Sequence, residues 1–127
     1  MLPRKAQIIK ELQRISKKWF TSRDDSLRLS ELLRELAHLD GYCAPSAFYE
    51  RAYGLEEIAR MESPEAVSLL IDLWKQQIGV THEEVVYLLE GMRHPSAVEG
   101  LKKLTRMGSE SERRSAIEAL RRKTGRT

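Results

Sequence analysis

Apolar residues recur at steps of three and four along most of the chain, and short polar breaks interrupt them. Ile8, Leu12, Ile15 and Trp19 predict an amphipathic helix over residues 3–20, with Pro3 placed where a first helical turn has no use for its missing N–H. After a polar break at 21–25, any of Asp24, Asp25 or Ser26 could start a second helix, which runs through Leu29, Leu32, Leu33 and Leu36 to a stop at Asp40-Gly41. A wide loop follows. A third helix is expected from about Pro45 to Arg60 through Phe48, Ala52, Leu55 and Ile58. Ser63-Pro64 reads as an N-cap with proline behind it, opening a helix that holds Ala66, Val67, Leu70, Leu73 and Trp74 and is closed by Gly79. Thr81 and Glu84 have capping-box spacing for a fifth helix with Val85, Val86, Leu88 and Leu89 inside. His94-Pro95 opens a sixth with Ala97, Val98, Leu101 and Leu104, closed by Gly108. Ser109 and Glu112 repeat the capping box, and Ala116, Ile117, Ala119 and Leu120 line a last helix that frays over 123–127. The pattern predicts seven helices and no strand.

The chain also matches itself at an offset of 31 residues. Met61 to Val67 returns as Met92 to Val98, including the proline and the Ala-Val pair; Leu70 and Leu73 return as Leu101 and Leu104. Leu55 and Ile58 pair with Val86 and Leu89, then with Ile117 and Leu120. A period of this size signals stacked helix pairs, because one pair alone cannot bury its apolar stripe. The expected fold is all-α, a short right-handed α-solenoid in one domain, with residues 1–40 as a divergent N-terminal cap and 45–124 as the repeats.

The run Ser109-Glu110 to Leu120, with Arg113, Ala116, Ile117 and Ala119 between, follows a break with proline, Ala-Val and spaced leucines. Over residues 47–124 this pattern resembles HEAT-like repeats of the phycobilin-lyase type. In that family an arginine commonly sits early in the first helix of each pair, and the equivalent column here is Arg51, His82 and Arg113. His82 departs from it, which implies a different contact between repeats. The phycobilin-lyase branch is an enzyme class, but the repeat itself does not carry that activity.

Composition narrows the function classes. With 41% hydrophobic residues in 127, the chain can build a core of its own. No stretch approaches the roughly 20 apolar residues of a membrane span, and the first residues are unlike a signal peptide, so a cytoplasmic location is expected. The single Cys43 can form neither an intrachain disulfide nor a zinc site alone. Net charge is +3, divided as +6 over residues 1–23, −9 over 24–100 and +6 over 101–127. In a linear stack such blocks become a gradient in space, or else merely solvate helical surfaces.

Little chemistry is spelled out. His38, Asp40 and Cys43 lie close in sequence, yet no base, lowered thiol pKa or fourth metal ligand is specified, and a helix end with a turn accounts for them. Glycine-rich phosphate loops and serine-centred elbows are absent. The sequence therefore points to no catalytic residues, no metal and no cofactor, and to a non-enzymatic protein.

A binding module remains as the principal expectation. Helix pairs stacked with a small rotation create a concave surface, usually built by the second helix of each pair. The positions outside the apolar stripe there are Ser68, Ile71, Asp72 and Lys75, with Glu99, Lys102, Lys103 and Arg106 as their neighbours in the next repeat. Ile71, and Trp74 at the groove's edge, are candidate anchors, unless Trp74 packs under the following loop. An acidic centre also suits capture of a basic partner, as in an immunity or antitoxin-type inhibitor of a basic toxin; Glu56, Glu57, Glu62, Glu65, Asp72, Glu83, Glu84 and Glu90 would supply the charge. Nucleic-acid binding through the basic terminal helices is the alternative, opposed by the acidic middle. The charged ends could also pair copies of the chain into dimers or short stacks.

Overall fold

The computed structural model describes residues 2–18, 22–39, 41 and 46–125. The expected contributions of Trp19, Phe20, Asp40, Cys43, Pro45 and the Phe48 side chain lie outside the described residues. Among those residues there are seven helices and no strand: α1 (Arg4–Ser16), α2 (Arg23–His38), α3 (Ala47–Ala59), α4 (Pro64–Lys75), α5 (His82–Gly91), α6 (Ser96–Leu104) and α7 (Glu110–Thr124).

Helix starts follow side-chain chemistry three residues long. The expected boxes form at α5, where Thr81 Oγ1 accepts from Glu84 N at 3.1 Å, and at α7, where Ser109 Oγ accepts from Glu112 N at 3.2 Å. Ser63 caps α4 ahead of Pro64, as its sequence signals. At α2 the start moves: Ser22, rather than Asp24, Asp25 or Ser26, is the cap, because Asp25 closes a capping box back onto Ser22 N. At α6 the helix begins only at Ser96, whose N–H donates to His94 Nδ1 at 3.1 Å.

The helices neighbour one another in two layers. α1, α4 and α6 follow one another in the first; α2, α3, α5 and α7 follow one another in the second, with α3 on α4 and α5 on α6 across them. This order is compatible with a short helical solenoid, and one apolar core runs through it from Ile8 and Leu12 to Ala116 and Ala119. The α2–α3 crossing is close: a Cβ at Gly54 would lie 2.3 Å from the Leu33 carbonyl oxygen, so only glycine lets the backbones approach this far.

Contacts between successive units recur at the repeat spacing. Gly100 of α6 lies over Val67, Leu89 and Ile71, whose side chains fill the space a Cβ would need. The Glu62 carboxylate, on a residue with φ 48°, accepts from Arg93 N at 2.8 Å and His94 N at 2.9 Å in the next interhelix turn. Arg122 forks onto Glu90 at 2.9 and 3.0 Å, and Lys123 reaches the Glu90 and Met92 carbonyls. The three residues of the Arg51, His82, Arg113 column make different contacts. Arg51 donates to Ile78 O and Arg113 to Gly108 O, each at 2.7 Å, whereas His82 is buried with its ring edge-on to Trp74 at 5.0 Å. Among the described residues neither ring nitrogen of His82 has a hydrogen-bond partner. A packing contact here replaces a polar one.

Candidate functional site

The candidate binding residues picked out by sequence do not form one groove; they fall in separate depressions or stand apart. Ser68, Ile71, Asp72 and Lys75 of α4 and Lys103 of α6 line a depression of about 490 Å³ that Gln13 and Ser16 of α1, and Lys17 just past its end, complete. Ile71 is 5% exposed, not outside the apolar stripe, because α6 passes over it at Gly100. Trp74 is half-buried, packed on the core and against His82. Both anchors proposed for this face are therefore used by the fold. Lys102 opens instead toward α7, Glu99 pairs with Lys102 at 3.3 Å, and Arg106 is exposed beside neither depression.

Electrostatics of this first depression are mixed. Lys17, Lys75 and Lys103 come from around three helices and are free of ion pairs among the described residues, while Asp72 and Glu65 share the same walls. Burial pushes the Asp72 carboxyl above the ordinary aspartate range, against the pull of Lys75, Lys17 and Lys103.

The opposite face, over α3 and α5, carries the other sign. Its two adjoining depressions, about 620 and 430 Å³, share Glu56, Tyr87 and Leu88. Glu62, Glu90 and Arg60 line the first of them, and Glu83 and Glu84 the second. Helices α3 and α5 together hold six carboxylates, Glu50, Glu56, Glu57, Glu83, Glu84 and Glu90, against Arg51 and the buried His82. Tyr87 stands on the ridge between the depressions and is 74% exposed.

The carboxylates differ in what remains to them. Glu57, expected at the surface, is buried and pairs with Lys5 at 3.1 Å and with Arg60. Backbone N–H groups of Arg93 and His94 hold the Glu62 carboxyl below its ordinary range, and a hydrogen bond from Arg122 does the same to Glu90. Glu84 is occupied by its capping box. Glu83 is exposed with no ion pair among the described residues, and Glu56 has only Arg60 at 4.0 Å. Those two charges, with Tyr87, are what the face can offer a partner.

Sequence reasoning missed Tyr87, although a signal existed. Its column in the repeat reads Glu56, Tyr87, Glu118, so an aromatic ring replaces carboxylates at a position the other units give to solvent. Of the helix-end cluster, His38 is half-exposed and hydrogen-bonded through Nε2 to Glu50 at 3.0 Å, while Asp40 and Cys43 lie outside the described residues. Among the described residues no three His, Cys, Asp or Glu side chains are placed to hold a metal ion, and no helix is long and apolar enough to cross a membrane. No family model, curated protein or solved structure matches this chain.

Proposed function

We propose that this chain is a non-enzymatic binding module of HEAT-like helix pairs that captures a basic protein on its α3–α5 face. Tyr87 is the anchor and Glu83 and Glu56 steer the partner to it. The observation that carries this reading is the large exposure of Tyr87 on a ridge between two depressions lined by carboxylates. Tyrosine buries much area at small entropic cost and is enriched where interfaces concentrate their energy, while rim charges set the rate of encounter. An inhibitor of the immunity or antitoxin kind, neutralising a basic toxin, is the concrete form that fits.

The test is affinity capture by the immobilised chain, followed by titration calorimetry with the protein retained. Wild type should retain a basic protein, Tyr87→Ala should weaken it by about 2 kcal/mol or more, and Glu83→Lys should slow association in a salt-dependent manner. Equal retention by both variants would remove this face from consideration. Nucleic-acid binding ranks second. Its support is the trio Lys17, Lys75 and Lys103, but two carboxylates in the same depression would repel a phosphate backbone. A gel shift at ~50 mM salt, lost on Lys103→Glu, would favour it instead.

A further inference from the structure

The smaller depression on the α3–α5 face, about 430 Å³, is built unlike those that hold Arg60, Lys17 or Lys102, because neither lysine nor arginine lines it. Leu55 is buried and Ala52 and Leu88 are half-buried, so these three form an apolar floor. Tyr87 supplies an aromatic wall, and Glu56, Glu83 and Glu84 bring three carboxylates. Among the described residues those charges are poorly matched. Glu83 has no ion pair, and Glu56 reaches only Arg60, at 4.0 Å. Glu84 spends Oε1 on the Thr81 N–H and hydroxyl, each at 3.0 Å, and keeps its charge.

The chain shows on α3 what such a set of groups holds. Arg60 places its Cζ 5.3 Å from the centroid of the Tyr53 ring, while its guanidinium pairs with Glu57 and reaches toward Glu56. A guanidinium is satisfied there by an aromatic face and carboxylates together. Tyr87 presents the same parts to solvent: an exposed ring, Glu83 one turn earlier on α5 and Glu56 across on α3. No cation lies over that ring among the described residues. A guanidinium stacks flat on an aromatic face and forks onto a carboxylate, whereas an ammonium is a strongly hydrated point charge. The apolar floor suits the methylene stem that carries it.

We infer that this depression receives an arginine side chain of the captured protein, its stem on Ala52, Leu55 and Leu88 and its guanidinium between the Tyr87 ring and the Glu83 and Glu56 carboxylates. This rests on the docking of a basic protein on the α3–α5 face, and it narrows the match from charge to side-chain type. A lysine would meet the same charge but forgo the stacked plane. An apolar side chain would leave the carboxylates unmatched.

Nuclear magnetic resonance of the full chain reads the depression directly. A capped peptide of alternating glycine and arginine is titrated to ~10 mM in low salt, with its lysine counterpart beside it. The arginine peptide should shift the Tyr87 ring and Glu83 amide signals and bind roughly two- to fivefold more tightly than the lysine peptide, the worth of one exposed cation–π contact. Tyr87→Phe should keep that preference, and Tyr87→Leu, which retains bulk without a π face, should erase it. Glu83→Gln should weaken both peptides. Both positions are exposed, so helical circular dichroism should not move. Equal affinity of the two peptides for wild type, a preference that survives Tyr87→Leu, or shifts that avoid Tyr87 would each overturn arginine as the occupant. Capture of the basic protein separates this from the face itself. If Tyr87→Ala weakens capture while the peptides are not told apart, the face stands and the arginine does not; if capture is indifferent to Tyr87→Ala, the face falls and its arginine with it.

Discussion

Three glycines, changed one at a time to alanine, turn the packing of this stack into numbers. Each replacement brings a helix-propensity gain of up to about 1 kcal/mol, smaller at a helix end than inside, and the large differences come from what the new methyl meets. At Gly91, the last residue of α5, nothing lies within 4 Å, so the gain should stand almost alone. At Gly100 the methyl would sit 2.5 Å from Val67 Cγ1 and 3.2 Å from Leu89 Cδ1. Val67 has one comfortable rotamer in a helix and can yield little, so an overpacking cost of about 1–2 kcal/mol should slightly outweigh the gain. At Gly54 the obstacle is backbone, the Leu33 carbonyl oxygen at 2.3 Å. A carbon normally approaches such an oxygen no closer than about 3.3 Å, so α2 and α3 must separate by roughly 1 Å. That loosens Leu33 and Leu55 at once, and the cost should reach about 3 kcal/mol, leaving a net loss near 2 kcal/mol. Urea unfolding followed at 222 nm should then order the proteins as Gly91→Ala, wild type, Gly100→Ala, Gly54→Ala, from most to least stable. Adding Val67→Ala to Gly100→Ala should recover part of the loss, a coupling that separate sites would not show. If Gly54→Ala were as stable as Gly91→Ala, the close α2–α3 crossing would not be what holds the N-terminal helices to the repeats.

Titration and polar deletions supply the other expectations. Glu62 has its folded pKa lowered by two backbone donors, so its stabilisation is complete above the ordinary carboxylate range and fades as pH falls through the folded value. Glu62→Gln should therefore reduce the melting temperature at pH 7, with a gap to wild type that narrows as pH falls below the ordinary carboxylate range. Asp72 has the opposite sign. Its raised folded pKa means that the buried carboxylate opposes folding once pH exceeds the ordinary aspartate value, so Asp72→Asn should stabilise at pH 7 and do nothing at pH 3. His82 contributes volume rather than hydrogen bonds; His82→Phe should match or exceed wild type in thermal stability, while His82→Ala should cost about 2–4 kcal/mol.

The helix starts were readable because a cap is a local event. Thr81, Ser109 and Ser63 each find their donor within three residues, and no distant part of the chain can change that geometry. The α2 start was harder, since Asp24, Asp25 and Ser26 all look competent; Asp25 instead serves the cap at Ser22 as the third residue of its box. The candidate surface was legible only in part. The acids of α3 and α5 were visible as charge, but Glu57, Glu62, Glu84 and Glu90 already have partners within the fold, and most of those partners lie dozens of residues away. Ile71 was misplaced for the same reason. Its spacing put it outside the apolar stripe of α4, yet another unit is stacked on it at Gly100.

The sequence by itself determined the seven helices seen among the described residues, where most of them begin and the 31-residue period at which they recur, because propensity, capping and apolar spacing act within a few residues. Tertiary structure alone decided which members of a repeated column are buried and which carboxylates stay exposed. Burial is a property of what lies across an interface, and equivalent residues in successive units do not meet the same neighbour.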